Sequence, residues 1–535
     1  MVSTPAYDPP AASSDTAPTA PTTPARHTGT IIAGCLAVCL AQMGLVLPAA
    51  INGVMQRTLQ ASGAELTWIT DAFLVPAAVL ALTFGVVGDL YGRRKLVTGA
   101  ALLAAVGYLV SAGSDTTAQL ITGQAISGIG AAALFPASLS MITAVTTTPA
   151  ARAKGLASWT TALSLGAFLA PLLSGGIVEH AAFQWAFGVT GVLAVITAVA
   201  AWLLATESSA PEGRSLDWPG QITIAVAMLA LLYGIIQGPS DGWGSAPVVL
   251  SFVAFAVFIA AFVWVEKRSA APMLRLELFR IPAFAASAAM AVIGMLGFLG
   301  GAYVLSIRLG VIQHQGPFQA AIPILVIQAC TPFIWPLLVR LLHRVGPGPM
   351  LVTGFLSIAA GQLWLRATPI HETGVMPILG ALILNGVGFG LVVAAITAAA
   401  VNVVPQSLTG MAGATTSLVR DLGQTLGPAV VGAVALGVAA SRLTVSLANA
   451  GLTPKEQGIA SAVLHAGGPL ALHTADLGPL SAKLAPHTTD ALAHGFGNGL
   501  LLTAGACVLA AVIAAVFVGL RPGGTRPVEA EGSAA

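Results

Sequence analysis

Charge is what this sequence has least of. Lys, Arg, Asp and Glu make up 8% of its 535 residues, where soluble domains carry about 25%. With 56% of the chain hydrophobic, that scarcity excludes a water-soluble fold, which cannot cover so much apolar surface. The net charge of +2 leaves no general attraction for nucleic acid, so no nucleic-acid partner is expected. Cysteine is sparse as well: Cys35, Cys39, Cys330 and Cys507 all lie in apolar runs, where they read as small core residues and not as an external disulfide framework. No glycine-lysine phosphate loop occurs, so nothing supplies an ATP engine. No nucleophile, base and orienting group form a recognisable set, so an enzyme is not expected and no cofactor is implied. His465, His473, His487 and His494 share one stretch, at irregular spacing and without cysteine neighbours, which argues against a metal site.

Long apolar runs are what the chain has in abundance. A bilayer core of about 30 Å needs roughly 20 apolar residues per helix. Runs of that length lie near 30–51, 66–87, 95–113, 117–141, 157–178, 183–205, 219–237, 245–265, 282–306, 318–340, 347–367, 374–400, 408–437 and 498–520. Unpaired strands have no place in lipid, so each run reads as a helix. The fold class is an all-α membrane protein with fourteen transmembrane helices, and the lipid bilayer is its first partner. Residues 1–29, rich in Pro, Ala, Ser and Thr, read as a disordered tail without the pattern of a cleavable signal; 521–535 reads as a second tail. A polar break near 206–218 follows six runs and divides the chain into repeated bundles. The expected units are a first six-helix bundle over 30–205, a linker with spans seven and eight over 206–281, and a second six-helix bundle over 282–520. The stretch near 438–497 is expected to be a long, solvated, partly helical external loop.

Basic residues set the expected orientation, because loops rich in Lys and Arg stay in the cytoplasm. Fifteen fall on one side, among them Arg93, Arg94, Lys95, Arg152, Lys154, Lys267, Arg268, Arg275, Arg280, Arg340 and Arg344, against Arg57, Arg308, Arg366, Arg442, Lys455 and Lys483 on the other. Both termini are therefore expected in the cytoplasm of a multi-pass protein of the cell membrane.

The most specific motif joins the second and third runs: Gly85, Asp89, Gly92, Arg93, Arg94 and Lys95. Glycine permits a sharp turn, Asp89 suits a helix cap or an arginine partner, and the basic triplet anchors the turn inside. The fifth run carries Gly166, Ala170, Pro171, Ser174, Gly175 and Gly176, a small-residue face for close helix packing with a proline that loosens the backbone. The first motif resembles the cytoplasmic loop signature of the major facilitator superfamily, and the resemblance implies that it forms a latch between two helix bundles. The second is similar to the fifth-helix signature of exporters in that superfamily, with Ala170 and Ser174 where glycine is usual. Asp217, Trp218, Pro219 and Gly220, the run from Pro272 to Arg280, and Gly386, Gly388 and Gly390 resemble the fourteen-span drug:proton antiporters. That resemblance covers 30–520 apart from the long external loop, and it implies two six-helix bundles plus two additional helices. The chain departs from it at two places. Cys39 stands nine positions before Pro48 where an acid is usual, and Gln124, in a fourth-span motif with Gly128 and Gly130, replaces an arginine that the resemblance associates with proton coupling.

Antiport needs a group whose protonation changes, and two acids remain inside the runs: Asp71 in the second and Asp421, beside Arg420, in the thirteenth. Charge in hydrocarbon is costly, about 2.5–3.5 kcal/mol on the insertion scale, so both should face a cavity or a partner. Sequence neighbours on a helix do not face each other, so Arg420 need not be the partner of Asp421. Gln42, Gln328, Gln362 and Asn385, with Phe73, Trp159, Tyr303, Phe333 and Trp335, are candidate lining residues of a cavity for flat or cationic organic molecules. The leading expectation is proton-driven export of drug-like or antibiotic-like molecules, with a small organic substrate and protons as partners. Uptake or facilitated diffusion of a nutrient, and a non-transporting membrane sensor using the external loop, stand as alternatives.

Overall fold

The computed structural model describes residues 24–146, 148–210, 216–269, 272–404 and 409–519. They fold into fifteen helices: α1 (Pro24–Leu59), α2 (Gly63–Tyr91), α3 (Arg93–Ala112), α4 (Thr117–Val145), α5 (Pro149–His180), α6 (Gln184–Leu204), α7 (Trp218–Asp241), α8 (Ala246–Glu266), α9 (Pro282–Ile307), α10 (Pro317–Val345), α11 (Pro347–Ala367), α12 (Leu379–Val401), α13 (Thr409–Ala448), α14 (Pro454–Thr474) and α15 (Pro479–Ile513). All but α14 belong to the 14 helices long and apolar enough to cross a membrane. Several, among them α9, α10, α11 and α15, open with proline in the first turn, where a missing N–H costs nothing. Others open on side-chain caps: Ser62 and Glu65 form a capping box on α2, and Asp217 accepts from Gly220 N on α7, satisfying donors that lipid cannot.

Two expected boundaries shift. The first helix begins at Pro24 and not near residue 30; proline is at home in a first turn and Ala25 and Arg26 behind it are good helix formers. The rest of the expected N-terminal tail, and nearly all of the C-terminal one, lie outside the described residues. The stretch 438–497 is a helical cap more than a loop. There α13 runs on to Ala448, α14 lies across, and α15 starts at Pro479, enclosing Leu443, Leu447, Ala460, Leu472, Leu480, Leu484 and Ala491. Leucines one helical turn apart supply the apolar stripe that makes this possible. A kink at Gly468, whose φ of 75° suits glycine, bends α14 over.

Helices α1–α6 pack as one bundle and α9–α13 with α15 as another, while α7 and α8 pair with each other and α7 also packs against α2 and α13. The helices alternate, so one face of the molecule carries the α2–α3 turn and the start of α7, and is rich in Lys and Arg; it is called the basic face below. The opposite face carries the cap and is called the cap face.

Among the described residues, hydrogen bonds between the bundles cluster toward the cap face. Asn52 Nδ2 donates to Ser306 Oγ at 3.0 Å, Ser306 donates to the Ala49 carbonyl, Arg57 donates to the Gly310 carbonyl at 3.0 Å, and the Thr67 and Tyr303 hydroxyls lie 2.9 Å apart. Gly53 of α1 and Gly310 meet backbone to backbone, and Gly175 of α5 abuts Ala321 and Phe318 of α10. Toward the basic face no hydrogen bond joins the two bundles among the described residues, and Leu156 and Leu165 of α5, and Phe333 and Leu337 of α10, are exposed. The polar ties between the bundles thus lie at the cap face.

The seal depends on glycine at position 53, where an added Cβ would lie 2.1 Å from the Gly310 carbonyl oxygen. Gly53→Val is expected to hold this face apart. Cysteines placed at Asn52 and Ser306 should cross-link readily under mild oxidation in the parent and several-fold less in the Gly53→Val background; equal yields would contradict the packing.

Candidate functional site

The seam between the bundles gathers polar side chains that the interior of either bundle cannot use. Asp71 stands one turn after Thr67 on α2, on the same face, so it follows the Thr67–Tyr303 bond into the seam. It is 0% exposed, and neither carboxylate oxygen has a hydrogen-bond partner. Asn52 and Gln56 of α1, also buried, each keep one side-chain oxygen unpaired. A buried carboxylate without donor or counter-charge is among the most costly groups a protein can hold in its ionised form. The neutral acid is the form this packing accommodates.

Asp421 is placed differently. Its side chain is 29% exposed and that of Arg420 27%, and Arg420 NH2 lies 3.0 Å from Asp421 Oδ1. Arg420 Nε and Gln424 Nε2 donate to the same oxygen at 3.0 and 3.1 Å. The two neighbours thus pair after all, because the long arginine side chain folds back along the helix surface to bring its guanidinium onto the carboxylate.

The α2–α3 turn binds its own bundle. Arg93 donates to Asp89 Oδ1 through Nε and NH2 at 3.1 and 2.8 Å and to the Ser140 carbonyl of α4 at 3.3 Å. The stretch after α6 closes over it: Ala210 N donates to the Asp89 carbonyl, Arg93 N to the Ser208 carbonyl, and Arg94 N to Glu207 Oε1 at 3.1 Å. The Arg94 guanidinium also stacks over the Trp202 ring. Contact with the second bundle, which the latch expectation entails, is not made by these hydrogen bonds, and the matching α12–α13 turn lies partly outside the described residues. Gly85 is half-buried in the same region.

The fifth-helix motif meets both bundles. Gly166 packs on the Cys39 backbone of α1, Ala170, Pro171 and Ser174 are buried, and Gly175 faces α10 while Gly176 borders open space. The fourth-span motif is internal packing: Gly128 lies against the Phe73 backbone and Gly130 against α3. Gln124 is fully buried and donates to Ser111 Oγ at 3.3 Å, a bond inside the first bundle and away from the seam.

Several expected lining residues have no open face in this conformation. Phe73 is enclosed between α1 and α4, Gln362 donates to the Gly297 carbonyl at 2.9 Å, and Asn385 donates to its own helix at Ala381. Tyr303 is buried in the seam. Polar side chains in apolar spans read as lining in a sequence, yet here they satisfy carbonyls between packed helices. Phe333 is 83% exposed, and Gln42, Trp159, Gln328 and Trp335 are half-buried; Trp159 Nε1 donates to Ser138 Oγ at 3.0 Å. Sequence reasoning missed Asn52, Gly53, Arg57, Ser306 and Gly310. The visible signal was Asn52, Gln56 and Arg57 recurring at helical spacing near the end of an apolar run.

The model of the major facilitator superfamily matches residues 32–428. The chain belongs to that superfamily. Among relatives, the multidrug resistance protein Stp of Mycobacterium tuberculosis (strain CDC 1551 / Oshkosh) is 29% identical over 71% of this chain and 70% of its own length. The tetracenomycin C resistance and export protein of Streptomyces glaucescens is 27% identical over 75% of each. The crystal structure of a bacterial homolog to the human lysosomal transporter Spinster, inward-facing and unoccupied, shares the fold with a TM-score of 0.66 at 14% identity, covering 94% of this chain and 99% of that one. The superfamily assignment accounts for the two bundles and makes this chain a membrane transporter of small molecules.

The α2–α3 turn depends on Gly92, whose φ of 109° is open to glycine and strained for other residues, and whose added Cβ would meet the Glu207 carboxylate at 2.7 Å. Gly92→Ala is expected to cost about 1–2 kcal/mol and to lower the midpoint of thermal unfolding in detergent by a few degrees. An unchanged midpoint would show that the turn relaxes freely.

Proposed function

We propose that this transporter exports drug-like or antibiotic-like organic molecules across the cell membrane in exchange for protons, with the basic face in the cytoplasm and the cap face outside. The observation that carries the reading is Asp71: a fully buried carboxylate without a partner, set one turn from a hydroxyl pair that ties the bundles together at 2.9 Å. In the state described, substrate enters from the open basic face while Asp71 holds its proton. When the bundles rock, the Thr67–Tyr303 bond breaks, the seam opens to the cap face, and water reaches Asp71, so that its protonation tracks the external solution. Asp421 and Arg420, part-exposed toward the open side, add a charged pair that a cationic substrate or a second proton can perturb. Relatives named for multidrug resistance and for tetracenomycin C resistance and export support the outward direction. The excess of Lys and Arg on the basic face supports the orientation. The α2–α3 latch engages the second bundle when the basic face closes.

The test is proton-coupled flux in reconstituted vesicles with an imposed pH gradient, using cationic dyes and polyketide-like antibiotics, with and without an ionophore. Gradient-driven dye movement that the ionophore abolishes is expected. Asp71→Asn is expected to retain dye binding and to lose drug-driven proton release by roughly tenfold or more. Tyr303→Phe, which keeps the ring and removes the cross-bundle bond, should raise proton leak without substrate. If the Asp71→Asn, Asp421→Asn double variant releases protons like the parent, neither aspartate is the exchange site.

A further inference from the structure

The end of α14 lies across the seam. Gln56 of α1 donates to Thr474 Oγ1 at 2.6 Å, tying the cap to the first bundle. The adjacent His473 ties it to the second: Nε2 faces the Ile312 carbonyl at 3.3 Å and Nδ1 the Thr488 hydroxyl of α15 at 3.0 Å. The half-buried His473 ring stacks on His314, in the turn between α9 and α10, with centroids 4.9 Å apart and an 8° angle between planes. His314 has a φ of 49°, a left-handed backbone that histidine, with Asn and Asp, adopts more readily than other residues with a Cβ. The ring pair lies where three elements meet over the seal.

The charged group that acts on this pair most directly is a cation. Arg57 of α1, bound to the Gly310 carbonyl, bears on His314, and each histidine is the other's neighbour. The acids of the flanking elements are engaged elsewhere: Glu65 of α2 with Ser62 N at 2.8 Å and Thr117 Oγ1 at 2.5 Å, Asp476 after α14 with Gly478 N at 3.1 Å, Asp490 of α15 with Arg442 at 3.0 Å and Glu179 of α5 with Phe318 N at 3.4 Å, while Glu372, in the segment bonded to Gln313, acts on Arg308. Neither ring is hydrogen-bonded to a carboxylate among the described residues.

We propose that the cap is an acid-released strap: it holds the seam shut while His314 and His473 are neutral and lifts when the pair takes up a proton from the cap-face solution. His473 is then a positioning residue that links opening of this face to external pH. The proposal rests on the cap face being external. Burial and the adjacent His314 push His473 down to about 4, and burial and Arg57 lower His314. A histidine lowered in the closed strap favours that state fully above its ordinary value of about 6.5, and loses the advantage as pH falls toward the lowered value. Each histidine shifts the closed-to-open ratio by up to about tenfold per pH unit within that window. Glu456, which caps α14, is held down to about 2, first by Lys483 and then by Thr453, so it stays ionised throughout. Acid outside would then favour the state in which Asp71 is open to external protons.

Spin labels at Gln60, in the turn after α1, and Gln457 on α14, in a chain whose four native cysteines are replaced by Ala, measure the strap directly. Distances are recorded without substrate, at about pH 8 and about pH 5. The parent is expected to gain a longer-distance population at the lower pH. His473→Gln, which keeps a hydrogen-bonding side chain, should lose that gain, and His487→Gln should keep it. A distance unaffected by pH in the parent, or an equal shift in His473→Gln, overturns the proposal; if His473→Gln does not fold, His314→Gln is judged by the same criterion. Because no substrate is present, failure here leaves export untouched, whereas a pH-driven shift in a chain without flux in vesicles refutes export alone.

Discussion

Hydrocarbon offers no hydrogen bonds, so each polar group in these spans has to find its partner inside the protein or sit where water arrives during the cycle. Most follow the first course. Thr, Ser, Gln and Asn side chains within the bundles bond to carbonyls or hydroxyls of their own or a neighbouring helix, as Gln362 does to Gly297 and Gln124 to Ser111. The seam between bundles is where the proposed cycle would bring in water. There Asp71, Asn52 and Gln56 keep oxygens without partners, which fits a seam that opens.

Close packing confines the seal to one face. Gly53 against Gly310, and Gly175 against Ala321, let backbones approach closely enough that dispersion and a few cross-bundle hydrogen bonds hold the bundles together. Few of these contacts are strong, which suits a joint that the proposed cycle breaks. Within the bundles the packing is closer, with glycine-lined contacts such as Gly128 on the Phe73 backbone. In the proposed cycle motion falls at the seam, and chemistry placed there is coupled to it. The cap adds a second tie across the same joint through Gln56, His473 and His314.

The spans were legible in the sequence because their signal, length and apolarity, is the property the bilayer selects. The turn at Gly85 to Lys95 was legible as well, since its glycines and charges have few other uses. What the sequence conveyed poorly was which face of a helix a polar residue takes. Gln362 and Asn385 read as cavity lining and are packing residues, and Tyr303 read as an aromatic wall and is a cross-bundle tie. A span without strong amphipathicity gives no period from which to assign faces. The helical character of 438–497 was underread because its leucines are diluted by Gly, Pro and His. The pairing of Arg420 with Asp421 was discounted by a rule about helix faces that a long side chain evades.

The central claim is that two bundles rock about a seam closed at one face at a time. Spin-label distances across both faces, Lys154 to Arg340 on the basic face and Gln60 to Glu372 on the cap face, test it most directly when recorded with and without a transported dye under acid and alkaline conditions. The account predicts opposite changes, with the basic-face distance shrinking in the same population in which the cap-face distance grows. Two distances that stay fixed under every condition, or that lengthen together, would contradict it.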